Sequence, residues 1–202
     1  MQQSVTVYPS AHWQQAPAPA AVEQQIDTLV GASLGVSGVD LRCQAMEAIM
    51  ALREEPAALA LVKRDITPEN LLAHEERWVG LVDPVPLQDS GTYYAALFPH
   101  CYRVYLPAMG HAPRYAQHCF HEQTATLAAI ADGYERGYAQ ADSVMRRRLH
   151  LAEWLWTLQC VAKSSTLLQG GLNAEMRLRR DDGANVAVTL EMSLRALAQL
   201  RW

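Results

Sequence analysis

The chain has 202 residues and a mass of 22.4 kDa, which suits a single domain. Half of its residues are hydrophobic and 19% are charged, so it can bury a core and wholesale disorder is excluded. Mean hydropathy is −0.09 and no apolar run reaches the ~18 residues of a membrane span, while a net charge of −4 excludes a global basic field for nucleic acid.

The first residues, 4–8, alternate with β-branched types and predict one short strand. Residues 9–21 hold Pro9, Pro17 and Pro19 among Ala and Gln and read as a linker. Val22, Ile26, Leu29 and Val30 then repeat at helical spacing, and Gly31, Gly35 and Gly38 punctuate the chain. Asp40 is a candidate N-cap for a helix running to about Glu55, with Leu41, Ala45, Ile49 and Leu52 on one face. Two short apolar runs, 59–62 and 78–82, flank a turn-rich segment and are expected to pair as a small hairpin. From there the pattern is mostly helical. Residues 93–106 are apolar and aromatic, limited by Pro99 and Pro107. A helix is predicted over 118–137, with Leu127, Ile130, Ala131 and Tyr134 in register. Another is predicted over 142–165, with Val144, Leu151, Leu155, Leu158 and Val161 on its buried side. A last amphipathic helix follows Gly183 through Leu190, Leu194 and Leu197.

Cys43, Cys101, Cys119 and Cys160 are spread widely with no C-x-x-C pair, the pattern of free thiols in a reducing compartment. The N-terminus lacks a basic region followed by an apolar one, so no signal peptide is read and a cytoplasmic location is expected.

The chemistry-bearing segment is Leu61-Val62-Lys63-Arg64-Asp65-Ile66-Thr67-Pro68-Glu69-Asn70. An Asp is followed five residues later by Asn, and thirteen residues further on Asp83-Pro84 ends an apolar run. This set resembles the catalytic loop and metal-binding Asp of the protein-kinase superfamily, and the D-P form is most similar to aminoglycoside phosphotransferase-like kinases. The resemblance implies a mainly α (α+β) fold: a kinase-like C-lobe helical bundle with a small β-hairpin carrying the two motifs. It implies ATP and Mg²⁺ as cofactors. Asp65 would orient the substrate hydroxyl, and Asn70 and Asp83 would bind the metal that bridges the nucleotide phosphates, because phosphoryl transfer rests on positioning and charge neutralisation. Thr67 and Glu69 would shape the loop. Without the resemblance, Asp65 and Asn70 read as turn residues and Asp83-Pro84 as a strand end.

Three departures stand beside it. Lys63 replaces the loop His. The segment after the metal Asp keeps Asp89 but has Tyr93 where the family has an acidic brace for the loop. Before Asp65 there is room only for a hinge-like strand (1–20) and early C-lobe helices, with no Gly-rich loop and no strand Lys, so the N-lobe is expected to be missing. Residues 20–140 would form the C-lobe core and 141–202 a helical tail. Apolar surface meant for an N-lobe would then lie open to a protein partner or to self-association.

Other clusters have ordinary readings. His118 and His121 would share a face of a helix, but a zinc site needs two further ligands, with only His111 or Cys101 to offer. Arg146-Arg147-Arg148 reads as a solvated helix face. Trp154, Trp156 and Trp202 read as packing residues. Tyr93, Tyr94, Tyr102 and Tyr105 are expected in the core, with an acceptor pocket as the alternative. Glu122, Asp132, Glu135 and Asp142 would attract a cationic acceptor if they faced one site. The expectation is therefore an ATP- and Mg²⁺-dependent phosphotransferase acting on a small-molecule hydroxyl, using no nucleic acid and no membrane. The alternative is a non-catalytic, pseudokinase-like interaction module or a truncated kinase remnant.

Overall fold

A computed structural model describes residues 41–53, 59–63, 66–75, 77–82, 86–110, 112, 115–170 and 183–200. Side chains are not described at 59–63, 73, 78, 86–90, 183 and 184. The strand expected over 4–8, the helix after Val22 and the cap at Asp40 lie outside these residues, as do Trp202 and His111.

Helix α1 (Leu41–Arg53) buries Leu41, Ala45, Ala48, Ile49 and Leu52, the face the i, i+4 spacing predicts. Four short strands follow: β1 (Leu59–Lys63), β2 (Leu71–His74), β3 (Arg77–Leu81) and β4 (Pro86–Ser90). They form two separate antiparallel pairs, β1 with β4 and β2 with β3. This corrects the expected pairing of runs 59–62 and 78–82 with each other. The tight connection at Glu75 folds β3 back on β2, and Glu75 takes a left-handed φ of 48° to make it. With β3 so occupied, β1 pairs with the strand after Asp83.

Helices then dominate. α2 (Gly91–Ala95), α3 (Leu97–His100), a π-helical turn (Cys101–Tyr105) and α4 (Leu106–Met109) run almost end to end. Pro99 and Pro107 do not break this run. Each sits in the first turns of its helix, where a missing N–H costs least. The π turn widens the backbone just ahead of Pro107, whose ring would otherwise press on the carbonyl of Arg103.

The helix predicted from residue 118 begins later, as α5 (Thr124–Ala139). Cys119 adopts a left-handed φ of 47° between two 3₁₀ turns, Ala116–His118 and Phe120–Glu122, and Gln123 (φ −105°, ψ 20°) separates the second turn from the helix. Leu127 and Ala131 are buried as expected, whereas Ile130 is exposed. α6 (Ser143–Gly170) is capped by Asp142, whose Oδ1 accepts from the N–H groups of Val144 (2.8 Å) and Met145 (3.0 Å). Between Leu149 and Leu158 nearly every side chain is buried, so α6 is the central helix and not an amphipathic surface one. Val144, expected inside, is exposed because it lies in the first turn, beyond that packed stretch. α7 (Gly183–Gln199) packs along α6, with Leu197 buried and Leu190 and Leu194 partly so.

The core has two parts. One joins α1, α6 and α7 around Ile49, Trp154, Leu155 and Leu158, with Tyr93 packed in. The other joins the π turn, α4, the 3₁₀ turns and α5 around Tyr102, Leu106, Met109 and Phe120. The molecule is thus mainly helical with a small amount of antiparallel strand. Among the described residues no helix is long and apolar enough to cross a membrane.

Gly110 ends α4 against the turn at His121. A Cβ there would lie 2.5 Å from the His121 backbone nitrogen. Gly110→Ala should therefore destabilise the protein by about 1–3 kcal/mol, read as a lower midpoint in urea unfolding with an unchanged slope.

Candidate functional site

Thr67 precedes a proline and is held extended (φ −62°, ψ 154°), as the proline ring demands. Pro68 then opens a one-turn 3₁₀ helix, Pro68–Asn70. The Asn70 N–H donates to the Thr67 carbonyl (2.9 Å) and closes the turn. Asn70 is buried, and its Nδ2 faces the Thr67 hydroxyl at 3.5 Å. Among the described residues, Oδ1 of Asn70 accepts no hydrogen bond. That leaves a hard oxygen donor of the kind Mg²⁺ prefers.

The chain passes straight from Asn70 into β2. In the β2–β3 hairpin Leu71 pairs with Leu81 and Leu72 with Gly80. At its end the Val82 N–H donates to the Asn70 carbonyl (3.0 Å), tying the residue ahead of Asp83 to Asn70. In the other sheet Lys63 pairs with Pro86, and Ala60 pairs with Asp89. The ladder of β1 and β4 thus closes the base of the segment 64–85, with the hairpin inside it. Ile66 and Leu71, on either side of the turn, pack against the core around Tyr102 and Leu106. Of the three expected site residues, Asn70 is described, whereas Asp65 and Asp83 lie outside the described residues.

Beside Asn70 the hairpin carries apolar surface. Leu72 is 45% exposed, Val79 59% and Leu81 43%. Space over Gly80, opposite Leu72, is open.

The side chains expected to serve an acceptor have other partners. Arg103, projecting from the π turn, gathers three carboxylates. Nη1 donates to Glu153 (2.7 Å), and Nη2 donates to Asp132 (2.6 Å) and Glu135 (2.8 Å). Glu135 also meets His150 Nε2 at 2.9 Å and Arg146 at 3.8 Å. Burial pushes Glu135 up, but its hydrogen bonds to Arg103 and His150 win and hold it below the usual carboxylate range. Burial also pushes the Glu153 carboxyl up, and there the Arg103 charge only partly offsets it. The side chain of Glu153 is 1% exposed, and its Oε1 has no hydrogen-bond partner. Asp142 caps α6, and Glu122 has only a loose contact with His121 (3.6 Å). These four acids do not converge on an open site.

Tyr93 also packs into the helical body. It stacks on Trp156 (ring centroids 4.6 Å apart), its hydroxyl accepts from Gln159, and its carbonyl accepts from Trp156 Nε1 (2.7 Å). Trp156 and Gln159 are on α6, so Tyr93 packs against that helix. Tyr102 is buried in the core, as expected. Trp154 is fully buried and Trp156 half-buried. Arg147 pairs with Glu47 on α1 (2.7 Å), so the Arg run is in part an interhelical tie. His118 stacks on Phe120 (5.1 Å), and His118 and His121 lie in different 3₁₀ turns instead of on one helix face. Among the described residues no three His, Cys, Asp or Glu side chains converge where a metal ion could sit.

Two features were not read from the sequence. Arg103 looks like a lone cation in an aromatic run, and only the fold reveals its three acids. His100 is buried on α3 with Nδ1 3.1 Å from the Thr157 hydroxyl. That hydroxyl donates to the Glu153 carbonyl (2.9 Å), so His100 must carry its proton on Nδ1 and donate.

Compared with family models, with curated proteins and with solved structures, the chain finds no match in any of the three.

Removing one partner of a buried ion pair strands the other. Arg103→Met should cost about 3–5 kcal/mol, and adding Glu153→Met should restore part of it, because the most deeply buried of the three carboxyl groups that lose their partner is then gone while Asp132 and Glu135 remain. Urea unfolding of the single and double variants measures this. For His100, burial lowers the pKa from 6.5 to about 4. The unfolded chain therefore takes up a proton that the folded one refuses. Stability present above pH 6.5 is lost as pH falls toward 4, by on the order of 3 kcal/mol from this group. His100→Asn, which keeps a donor but does not titrate, should flatten that part of the stability–pH curve.

Proposed function

We propose that this chain is an ATP- and Mg²⁺-dependent phosphotransferase acting on a small-molecule hydroxyl, built on a kinase-like C-lobe. The observation that carries the reading is the backbone around the two motifs. β1 and β4 pair outside the segment and β2 and β3 pair within it, and the Val82 N–H bonds to the Asn70 carbonyl. The chain therefore leaves β1 after Lys63 and enters β4 at Pro86 at one end of the ladder, and Asp65 and Asp83 lie between these two residues in the sequence. Two acidic residues and an amide oxygen are what metal-assisted phosphoryl transfer uses.

In this reading Asp65 orients the acceptor hydroxyl and takes its proton. Asn70 offers Oδ1, and Asp83 a carboxylate, to the metal. Mg²⁺, when bound, supplies charge neutralisation between phosphate oxygens. Leu72 and the open space over Gly80 offer a flat apolar surface beside Asn70, suited to the face of a nucleotide base.

A second reading, a non-catalytic interaction module, is favoured by one specific observation. Leu72, Val79, Leu81 and Val82 put a group of exposed apolar side chains on one small hairpin, which is the kind of surface a protein partner covers. The two readings part on ligand binding. A ligand held only by the native state must stabilise it by mass action. At a hundredfold excess over Kd, Mg²⁺·ATP should add ~2.7 kcal/mol, or about 5–10 °C in Tm for a chain of this size. The rise should need Mg²⁺ and be lost in Asp83→Asn. No shift at millimolar nucleotide would favour the interaction module.

A further inference from the structure

We infer that Thr67 is a positioning residue for Asn70: its hydroxyl holds the amide nitrogen of Asn70 and so aims the amide oxygen at the metal of a nucleotide–Mg²⁺ complex. The inference rests on the phosphotransferase reading and adds a role within it.

Four observations carry it. Thr67 sits at the N-cap of the Pro68–Asn70 turn, where a threonine hydroxyl ordinarily bonds to a backbone N–H, yet it makes no such capping bond. Its Oγ1 lies instead 3.5 Å from Asn70 Nδ2. Both residues are 9% exposed, so water competes poorly for either group. Finally, the Asn70 N–H already bonds to the Thr67 carbonyl at 2.9 Å, so the two residues are fixed to each other by backbone, and the side-chain contact sets only the rotation of the amide.

The chemistry follows from the amide group. It presents a donor at one end and an acceptor at the other. Holding the nitrogen on Thr67 leaves the oxygen as the free end. A divalent cation on that oxygen would draw electron density from the nitrogen and make its N–H a stronger donor. The 3.5 Å contact is long for the free protein, and bonds of this kind tighten when the ligand arrives. Partners that orient a metal ligand in this way commonly change metal affinity by about 10–100-fold when removed.

The test uses the full chain, ATP and Mg²⁺. Mg²⁺ is titrated at fixed ATP, and the rise in Tm gives the Mg²⁺ concentration at half effect. Thr67→Val, which keeps the shape and removes the hydroxyl, should raise that concentration about 10-fold while Tm without ligand moves little. Thr67→Ser should restore it to within about threefold of the wild type on the same grounds. In parallel, the Asn70 side-chain NH₂ signals, identified by their loss in Asn70→Asp, should shift when Mg²⁺·ATP is added to the wild type. An unchanged half-effect concentration in Thr67→Val overturns the inference. So does failure of Thr67→Ser to rescue, since the methyl group would then be the cause. If Thr67→Val does not fold, the wild-type NMR signals decide, and no shift overturns the inference. A wild type without any Mg²⁺-dependent stabilisation overturns the phosphotransferase reading itself, and this inference with it.

Discussion

The buried carboxyl group of Glu153 constrains the helical body. A charge taken out of water costs several kcal/mol unless it is paired, and its partner, Arg103, belongs to a different element, the π turn. Arg103 in turn holds Asp132 and Glu135 on α5. One guanidinium thus fixes the separation of three elements, and the fork geometry of arginine suits it to bond several carboxylates at once. The π turn is part of this arrangement: it accommodates Pro107 and presents Arg103 toward α5 and α6. The same turn contributes Tyr102 to the core on which Ile66 and Leu71 rest. The segment with Asn70 is therefore held by a platform whose own position is set by ion pairs.

Legibility in the sequence followed the physics of each element. α1, α6 and α7 could be read because their apolar residues recur at helical spacing over three or more turns. The start of α5 could not be read, because residues 116–123 form two 3₁₀ turns on either side of a left-handed Cys119 that nothing in its residue type announces. Pro99 and Pro107 look like stops, yet they sit where helices tolerate them, and only the neighbouring turns reveal that. Strand pairing was the least legible part. Four runs of four or five residues give no register signal of their own, and the turn at Glu75 decides which strands meet.

Within the candidate site, the pattern of Asp, Asn and Asp was visible as spacing alone, and so was the turn character of residues 67–70. What spacing could not supply was the surroundings. Tyr93 occupies the place of an expected acid, and the fold commits it to α6 through Trp156 and Gln159. Of the acids considered for an acceptor, Asp132 and Glu135 are engaged by Arg103, through contacts between residues far apart in the chain, while Asp142 caps α6. Thr67 was legible as a loop-shaping residue, but its orientation toward Asn70 and not toward the backbone is a property of the folded turn.

The separation of the β2–β3 hairpin from the two cores has an evolutionary consequence. Ile66 and Leu71 are its points of attachment to the second core, while Leu72, Val79 and Leu81 face outward. Most substitutions on the hairpin would leave the packing of α1, α5, α6 and α7 untouched. Selection for a stable body and selection for what the hairpin does can therefore proceed nearly independently. A lineage could change the ligand, replace it with a protein surface, or abandon it altogether without first having to rebuild the fold.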